Sequence, residues 1–364
     1  MPRQNCQNFN LMSSIITGTG SYIPKEIASN ASFLKNEFYD EGHAPLEDNN
    51  ELIIEKFKNI TGIEERRYLS SDLLNSDIAA IAAQKAIKQA NIDPETIDQI
   101  ILAHNFGNLV DQTRQSDMLP SIASKVKHIL GIANPNCVAY DIIFGCPGWL
   151  QGMIQADQFI KTGMASRCLL IGSETLSRII DPHDRDSMIY ADGAGACILE
   201  KGSEPAKGIM SYASQTYTLE ESNYIFFGGS NKKNSTENTH FLKMHGRKIY
   251  EFALNKVPLA MKDALDKSGI HIDQVKKILI HQANEKMDEA IIKRFYRLFK
   301  KQIPEGIMPM SINKLGNSSV ATVPTLLDLI LSGNLDDHHI AEGDAIILAS
   351  VGAGMNINAV VYQY

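Results

Sequence analysis

The chain has 364 residues, 44% hydrophobic and 21% charged, enough to bury a large core without staples. Its 35 basic residues against 42 acidic ones leave a net charge of −7, which argues against a general nucleic-acid binder. These values exclude a disordered chain, a collagen and a disulfide scaffold.

Residues 1–10 are polar and lack the apolar run of a signal peptide. No stretch reaches 18 uninterrupted apolar residues, so no membrane span is expected. The five cysteines, Cys6, Cys137, Cys146, Cys168 and Cys197, show no CxxC spacing. Cys168 and Cys197 sit in apolar runs, where a buried reduced thiol is expected, and a reducing cytoplasm fits.

Along the chain, Ala86-Ile87 leads through Ile97-Asp98-Gln99-Ile100-Ile101-Leu102 to His104, a pattern of helix, short loop and buried strand. The pattern returns in Ala264-Leu265, Ile272-Asp273-Gln274-Val275 and Ile278-Leu279-Ile280, ending at His281, shifted by close to half the chain. Cys168-Leu169-Leu170-Ile171 and Ile346-Ile347-Leu348-Ala349 keep that shift. Gly145-Cys146 and Gly316-Asn317 each open an apolar helix, closing at Gly163 and Gly333. Chance likeness between common helix–strand units is one explanation; the preserved order and spacing favour duplication. The expected architecture is α/β with covered, mostly parallel sheets, in two halves, 1–205 and 206–364. Residues 217–238 are polar and rich in Gly, Asn and Ser, and read as a loop insertion.

Cys146 follows the strand-like run Tyr140-Asp141-Ile142-Ile143-Phe144-Gly145 and precedes Pro147-Gly148-Trp149-Leu150. Proline is tolerated in a helix's first turn, so the thiol stands at a helix N-terminus. The field there favours thiolate and is expected to lower the thiol pKa by about one unit. A small buried residue before a helix is the plainer alternative. His281 ends a strand, where open α/β sheets bind ligands, or is a satisfied core histidine. His104, its repeat partner, reads as structural. Asn317 either caps the following helix or offers a neutral donor to a carbonyl or enolate oxygen. If the halves are related by a pseudo-twofold axis, Cys146 and Asn317 meet at one central site.

Asp192-Gly193-Ala194-Gly195-Ala196 lacks the Lys-Ser/Thr of a phosphate loop and reads as close packing. The amides of Gly352-Ala353-Gly354 are candidates for an oxyanion hole. No cluster has zinc spacing, so no metal is expected. Residues 286–301 form a basic helix candidate in which Lys286, Lys293, Arg294, Arg297 and Lys300 interleave with Ile291, Ile292 and Phe295. It is either a solvated face or a docking surface for an acidic partner.

Together these residues resemble the β-ketoacyl-acyl carrier protein synthase III family of the thiolase superfamily. The markers are Gly18-Thr19-Gly20-Ser21-Tyr22-Ile23-Pro24, Thr61-Gly62-Ile63, the Cys146 segment, residues 181–185, Asp192-Gly193-Ala194-Gly195-Ala196, His281-Gln282-Ala283-Asn284 and Gly316-Asn317-Ser318-Ser319. The resemblance implies a duplicated, thiolase-like five-layer αβαβα fold and a homodimer. It implies Cys146 as acyl-accepting nucleophile, with His281 and Asn317 assisting decarboxylation of a carrier-bound malonyl group. It implies an oxyanion hole from the amides of Cys146 and Ala353, an acyl-CoA or acyl-carrier substrate, and no cofactor. Lys286 and Arg294 fall where the family docks acyl carrier protein, and Arg185 where one side of a CoA adenine is held. The thiolase's second cysteine is absent from Val351-Gly352-Ala353-Gly354, and no glutamate of the hydroxymethylglutaryl-CoA synthase kind lies between Glu95 and Cys146.

The chain departs from the family in several places. The Trp expected before Thr61 is missing, with Leu52 or a neighbour there; Val351 replaces a Phe and Ala353 the middle Gly; residues 106–119 are longer than usual, as are the N-terminus and residues 30–59. The readings left open are fatty-acid initiation, a specialised enzyme joining two acyl or β-ketoacyl thioesters into an alkylresorcinol-, quinolone- or polyketide-type product, and a silent partner subunit.

Overall fold

Runs of Ile, Leu, Val and Ala between turns become the strands, and amphipathic stretches closed by left-handed residues become the helices. The computed structural model describes residues 13–110, 113–204, 206–233, 239–335 and 337–364. Cys6 with the polar N-terminus, and Pro205 at the expected seam, lie outside the described residues.

The chain opens with β1 (Ser13–Tyr22) and β2 (Glu26–Ser29), then α1 (Asn50–Thr61) and β3 (Glu65–Tyr68). Next come α2 (Asn75–Ala90), β4 (Gln99–Ala103), the short pair β5 (Asn108–Leu109) and β6 (Ser116–Asp117), α3 (Ile122–Ile129) and β7 (Val138–Ile142). The first half finishes with α4 (Gly148–Lys161), β8 (Arg167–Thr175) and β9 (Asp192–Gly202). The second runs through β10 (Gly208–Thr216), β11 (Ile225–Gly228), β12 (Phe241–Met244), α5 (Gly246–Ser268) and β13 (Val275–Ile280). It closes with α6 (Glu285–Leu298), α7 (Ile312–Leu315), α8 (Thr322–Leu331), β14 (Ala345–Gly352) and β15 (Asn356–Gln363).

Two large sheets follow, ordered β1-β9-β8-β4-β7 and β10-β15-β14-β13. Their first four positions match in direction. β4 lies parallel to β8 and β13 parallel to β14, while β9 and β15 run antiparallel to their neighbours. Ile100 pairs with Leu169 and Ile278 with Ile347, the same separation in sequence. The expected echo is therefore a repeated unit of structure.

Helices α4 and α8 touch both sheets, α2 covers the outer face of the first and α5 that of the second. The order is αβαβα, five layers. The middle layer is bound by one cluster holding Trp149, Met153, Leu170, Leu326 and Leu348. Burying each such side chain stabilises by about 1.5–3 kcal/mol relative to exposure, so α4 and α8 are fixed platforms. The 192–196 run is the start of β9, packed beneath α8. The loop expected over residues 217–238 is corrected in part, because it contains β11, paired to β12. No helix among the described residues is long and apolar enough to cross a membrane.

Candidate active site

Strand β7 stops at Ile142, and Gly145 then turns the chain with φ +64. Gly145 O accepts from the Gly148 N–H at 3.0 Å, which closes a tight turn and sets Cys146 just ahead of α4. A side chain at Gly145 would place Cβ 2.6 Å from Ala353 N, so only glycine lets the two backbones meet here. His281 extends β13 by donating its backbone N–H to Ala349 O at 2.8 Å. Asn317 is pinned by its N–H to Ile189 O (2.9 Å) and by its O accepting from Ala191 N (2.8 Å). Its Oδ1 accepts from Ser319 N at 2.8 Å, so it caps the 3-10 turn before α8 and not α8 itself.

Cys146, His281 and Asn317 line one apolar cavity of about 240 Å³, together with Val351 and Ala353. Its walls include Phe106 and Phe227, whose rings sit 5.6 Å apart, and Tyr190. A second cavity of about 410 Å³ shares Met244, Ile249, Ala283 and Met287 with the first. Its rim carries Lys56, Arg185 and Arg247 beside Asp186. The two cavities are neighbours, one lined by the Cys146 thiol and the other by a cation-bearing rim.

The electrostatics correct one expectation. Cys146 is half-buried at the cavity wall, and burial pushes its thiol up to about 11. The hydrogen bond from Ser319 Oγ (3.2 Å) opposes this, while the Glu174 carboxyl adds to it. Burial is thus the largest influence on the thiol, which is raised and not lowered as its helix-end position implied. Burial also pushes His281 down to about 4, so its imidazole is neutral at physiological pH. Its Nδ1 has no partner among the described residues. His104 is satisfied on both sides, Nε2 by Asp141 at 3.0 Å and Nδ1 by Gly107 N at 3.0 Å, as a structural histidine should be.

Two family models match: residues 140–218 match one described as 3-oxoacyl-[acyl-carrier-protein (ACP)] synthase III, and residues 265–364 match one described as 3-oxoacyl-[acyl-carrier-protein (ACP)] synthase III C terminal. The chain is 30% identical over 357 residues to a β-ketoacyl-[acyl-carrier-protein] synthase III of Erythrobacter litoralis, covering 97% of this chain and 100% of that one. It belongs to the synthase III family. The crystal structure of the Aquifex aeolicus 3-oxoacyl-[acyl-carrier-protein] synthase III matches with a TM-score of 0.78 at 28% identity, covering 96% of this chain and 100% of that one. The Thermus thermophilus synthase III matches at 0.77 and 27%, covering 96% and 98%. This synthase III is thus a condensing enzyme of the acyltransferase class.

Within that frame the expected surface residues separate. Arg185 stands at the cation-bearing rim, paired with Asp186 at 3.5 Å. Lys286 is exposed in the first turn of α6, away from both cavities. Arg294 is exposed but tied to α5, donating to Leu254 O (3.1 Å) and Asn255 Oδ1 (2.6 Å). Leu52 lies outside the second cavity, and the single Trp, Trp149, is buried in the middle layer. Sequence reasoning missed Tyr190, Phe226 and Phe227 as cavity walls. It quoted Ser319 without a role; the signal is its left-handed backbone, φ +52, which the sequence does not display.

Proposed function

We propose that this chain accepts an acyl group on Cys146 and condenses it with a malonyl group held on acyl carrier protein. In the first half-reaction Cys146 Sγ attacks the donor thioester carbon. The amides of Cys146 and Ala353 hold the tetrahedral oxygen, and the donor thiol leaves with the proton. In the second, the His281 ring N–H and Asn317 Nδ2 hold the malonyl thioester oxygen while the bond to its carboxylate breaks and CO2 departs. The enolate carbon attacks the acyl carbon, and the Cys146 thiolate is expelled. The observation that carries this reading is the convergence of Cys146, His281 and Asn317 on one apolar cavity, beside a second with a cation-bearing rim. A neutral His281 suits it, because a hydrogen-bond donor is needed there and a fixed cation is not.

The missing Trp before Thr61 supports a carrier-bound acyl donor over CoA. Intact mass after incubation with matched acyl-CoAs and acyl carriers tests this. Faster adduct formation from the carriers is expected; an adduct from CoA alone overturns the donor assignment, and no adduct from any donor overturns the whole reading. The aromatic wall of Phe106 and Phe227 supports apolar acyl groups and keeps the specialised condensing reading in view. In that reading only long or β-keto donors give an adduct.

The same assay separates the roles. His281→Ala and Asn317→Ala should each keep most Cys146 acylation and lose malonyl decarboxylation by about 10²–10³, the size of one lost oxyanion donor. A selective loss of acylation would reassign both residues. We assign carrier docking to the exposed face of α6. Lys286→Glu should raise KM for the carrier with a strong salt dependence and leave kcat unchanged. Arg294→Glu should do the same and also cost roughly 1 kcal/mol of stability, since it loses its contacts with α5. Salt-independent kinetics would remove this face from consideration. The homodimer and the halves 1–205 and 206–364 belong to the same proposal.

A further inference from the structure

One chain of polar side chains ends on the thiol. Ser319 Oγ donates to Cys146 Sγ at 3.2 Å, and Asn105 Nδ2 donates to Ser319 Oγ at 3.2 Å. Nδ2 also donates to Glu174 Oε1 at 2.6 Å, and the Asn105 backbone N–H bonds the same oxygen. An amide nitrogen has two protons, and both are committed. Ser319 therefore accepts from Asn105 and keeps its own proton for sulfur. Glu174 fixes the amide in that orientation.

The chain contains two unfavourable features. Glu174 is 1% exposed, and its Oε2 has no partner among the described residues. Ser319 is held at φ +52, a conformation that costs a non-glycine residue energy. Both lie on the path of hydrogen bonds that runs from Glu174 through Asn105 and Ser319 to Cys146.

We propose that Glu174 is a positioning residue that sets the ionisation of Cys146 in two ways: it orients Asn105 and Ser319 toward the sulfur, and its own charge acts directly on the thiolate. This rests on Cys146 being the nucleophile. The Ser319 proton is a better partner for a thiolate than for a thiol, so the relay favours ionisation. A Glu174 carboxylate works against it by repelling the thiolate. Burial pushes the Glu174 carboxyl up to about 7, so it changes charge in the neutral range. His104, itself bonded to Asp141, and Asp192 face Glu174; Tyr190 and His281 face Cys146. His281 stays neutral and Tyr190 is raised, while burial pushes Asp192, a second carboxyl near Glu174, up to about 6.

The test is the rate of iodoacetamide alkylation at the Cys146 peptide of the full chain, followed by mass between about pH 5 and 9. It reads the thiol alone, so it does not depend on finding an acyl donor. In the wild type the logarithm of the rate should climb with pH but show a shoulder near 7, where Glu174 ionises. A straight climb without a shoulder overturns the proposal and needs no variant. Glu174→Gln keeps the acceptor oxygen and removes the charge. It should lose the shoulder and react roughly tenfold faster above it, the effect of one charge through an effective dielectric of about 20. A shoulder retained in Glu174→Gln shows that another group causes it and overturns the assignment. Ser319→Ala should keep the shoulder and slow alkylation about tenfold at every pH, the effect of one hydrogen bond to a charged group. An unchanged rate in Ser319→Ala, with an unchanged unfolding midpoint, overturns the relay.

Discussion

Cys146→Ala is expected to form no acyl-enzyme with any donor and to lose condensation by more than about a thousandfold, judged by intact mass and product formation. Among the described residues Cys146 is the only thiol lining the cavity; Cys137, Cys168 and Cys197 are buried elsewhere. The nearest hydroxyl, Ser319 Oγ, points its proton at sulfur and has no base of its own. It is therefore a poor substitute nucleophile. Stability should change by only about 1 kcal/mol, because the variant loses one hydrogen bond from a side chain that the cavity already reaches. Malonyl decarboxylation should survive in this variant, since the groups assigned to it, His281 and Asn317, are untouched. Product formed at the wild-type rate by Cys146→Ala would remove Cys146 from the mechanism.

The sheets were legible because their strands are continuous apolar runs. Ile100-Ile101-Leu102 and Leu169-Leu170-Ile171 admit little but buried parallel strands, and their echoes repeat the pairing. Strand β11 was not legible. Ile225-Phe226-Phe227 is short, and Ser, Asn and Gly dominate its surroundings. What makes it a strand is pairing to Phe241–Met244, a contact distant in sequence that no local pattern reports. The consequence is that Phe226 and Phe227, part of the aromatic lining of the cavity, lay in the stretch read as a loop.

The three residues proposed for the chemistry could be singled out in the sequence for a different reason. A glycine turn before Cys146, a strand end at His281 and a glycine turn before Asn317 are local geometry. Their electrostatics were not, because burial depends on the whole fold. The helix-end field at Cys146 could be read from Pro147-Gly148; the desolvation that raises the thiol could not. Glu174 shows the same limit. In sequence it is one polar residue at the end of an apolar strand, and only the packing of β8 against residues 104–105 and 319 turns it into a neighbour of the thiol.

Gly352→Ala carries the other large expected effect. Gly352 ends β14 with φ −168, an extended conformation open to any residue, so backbone strain is not the issue. Space is. A Cβ built there lies 2.4 Å from Cys146 N and 2.9 Å from both Cys146 Cβ and Pro147 Cδ. None of these atoms is the free end of a flexible side chain, so the turn bearing Cys146 must move. That turn carries one of the two amides assigned to the tetrahedral oxygen, and the displaced strand end carries the other, Ala353. Acylation should fall by about 10²–10³, the range for a lost oxyanion donor, with an overpacking cost of about 1–3 kcal/mol. Val351→Ala is the matched control, because it trims a cavity-lining side chain without moving either amide. It should change KM for the acyl donor far more than the acylation rate. A Gly352→Ala protein that unfolds at the wild-type midpoint and acylates at the wild-type rate would mean that the oxygen is held elsewhere. The 145–146 and 352–353 backbones would then meet for packing alone.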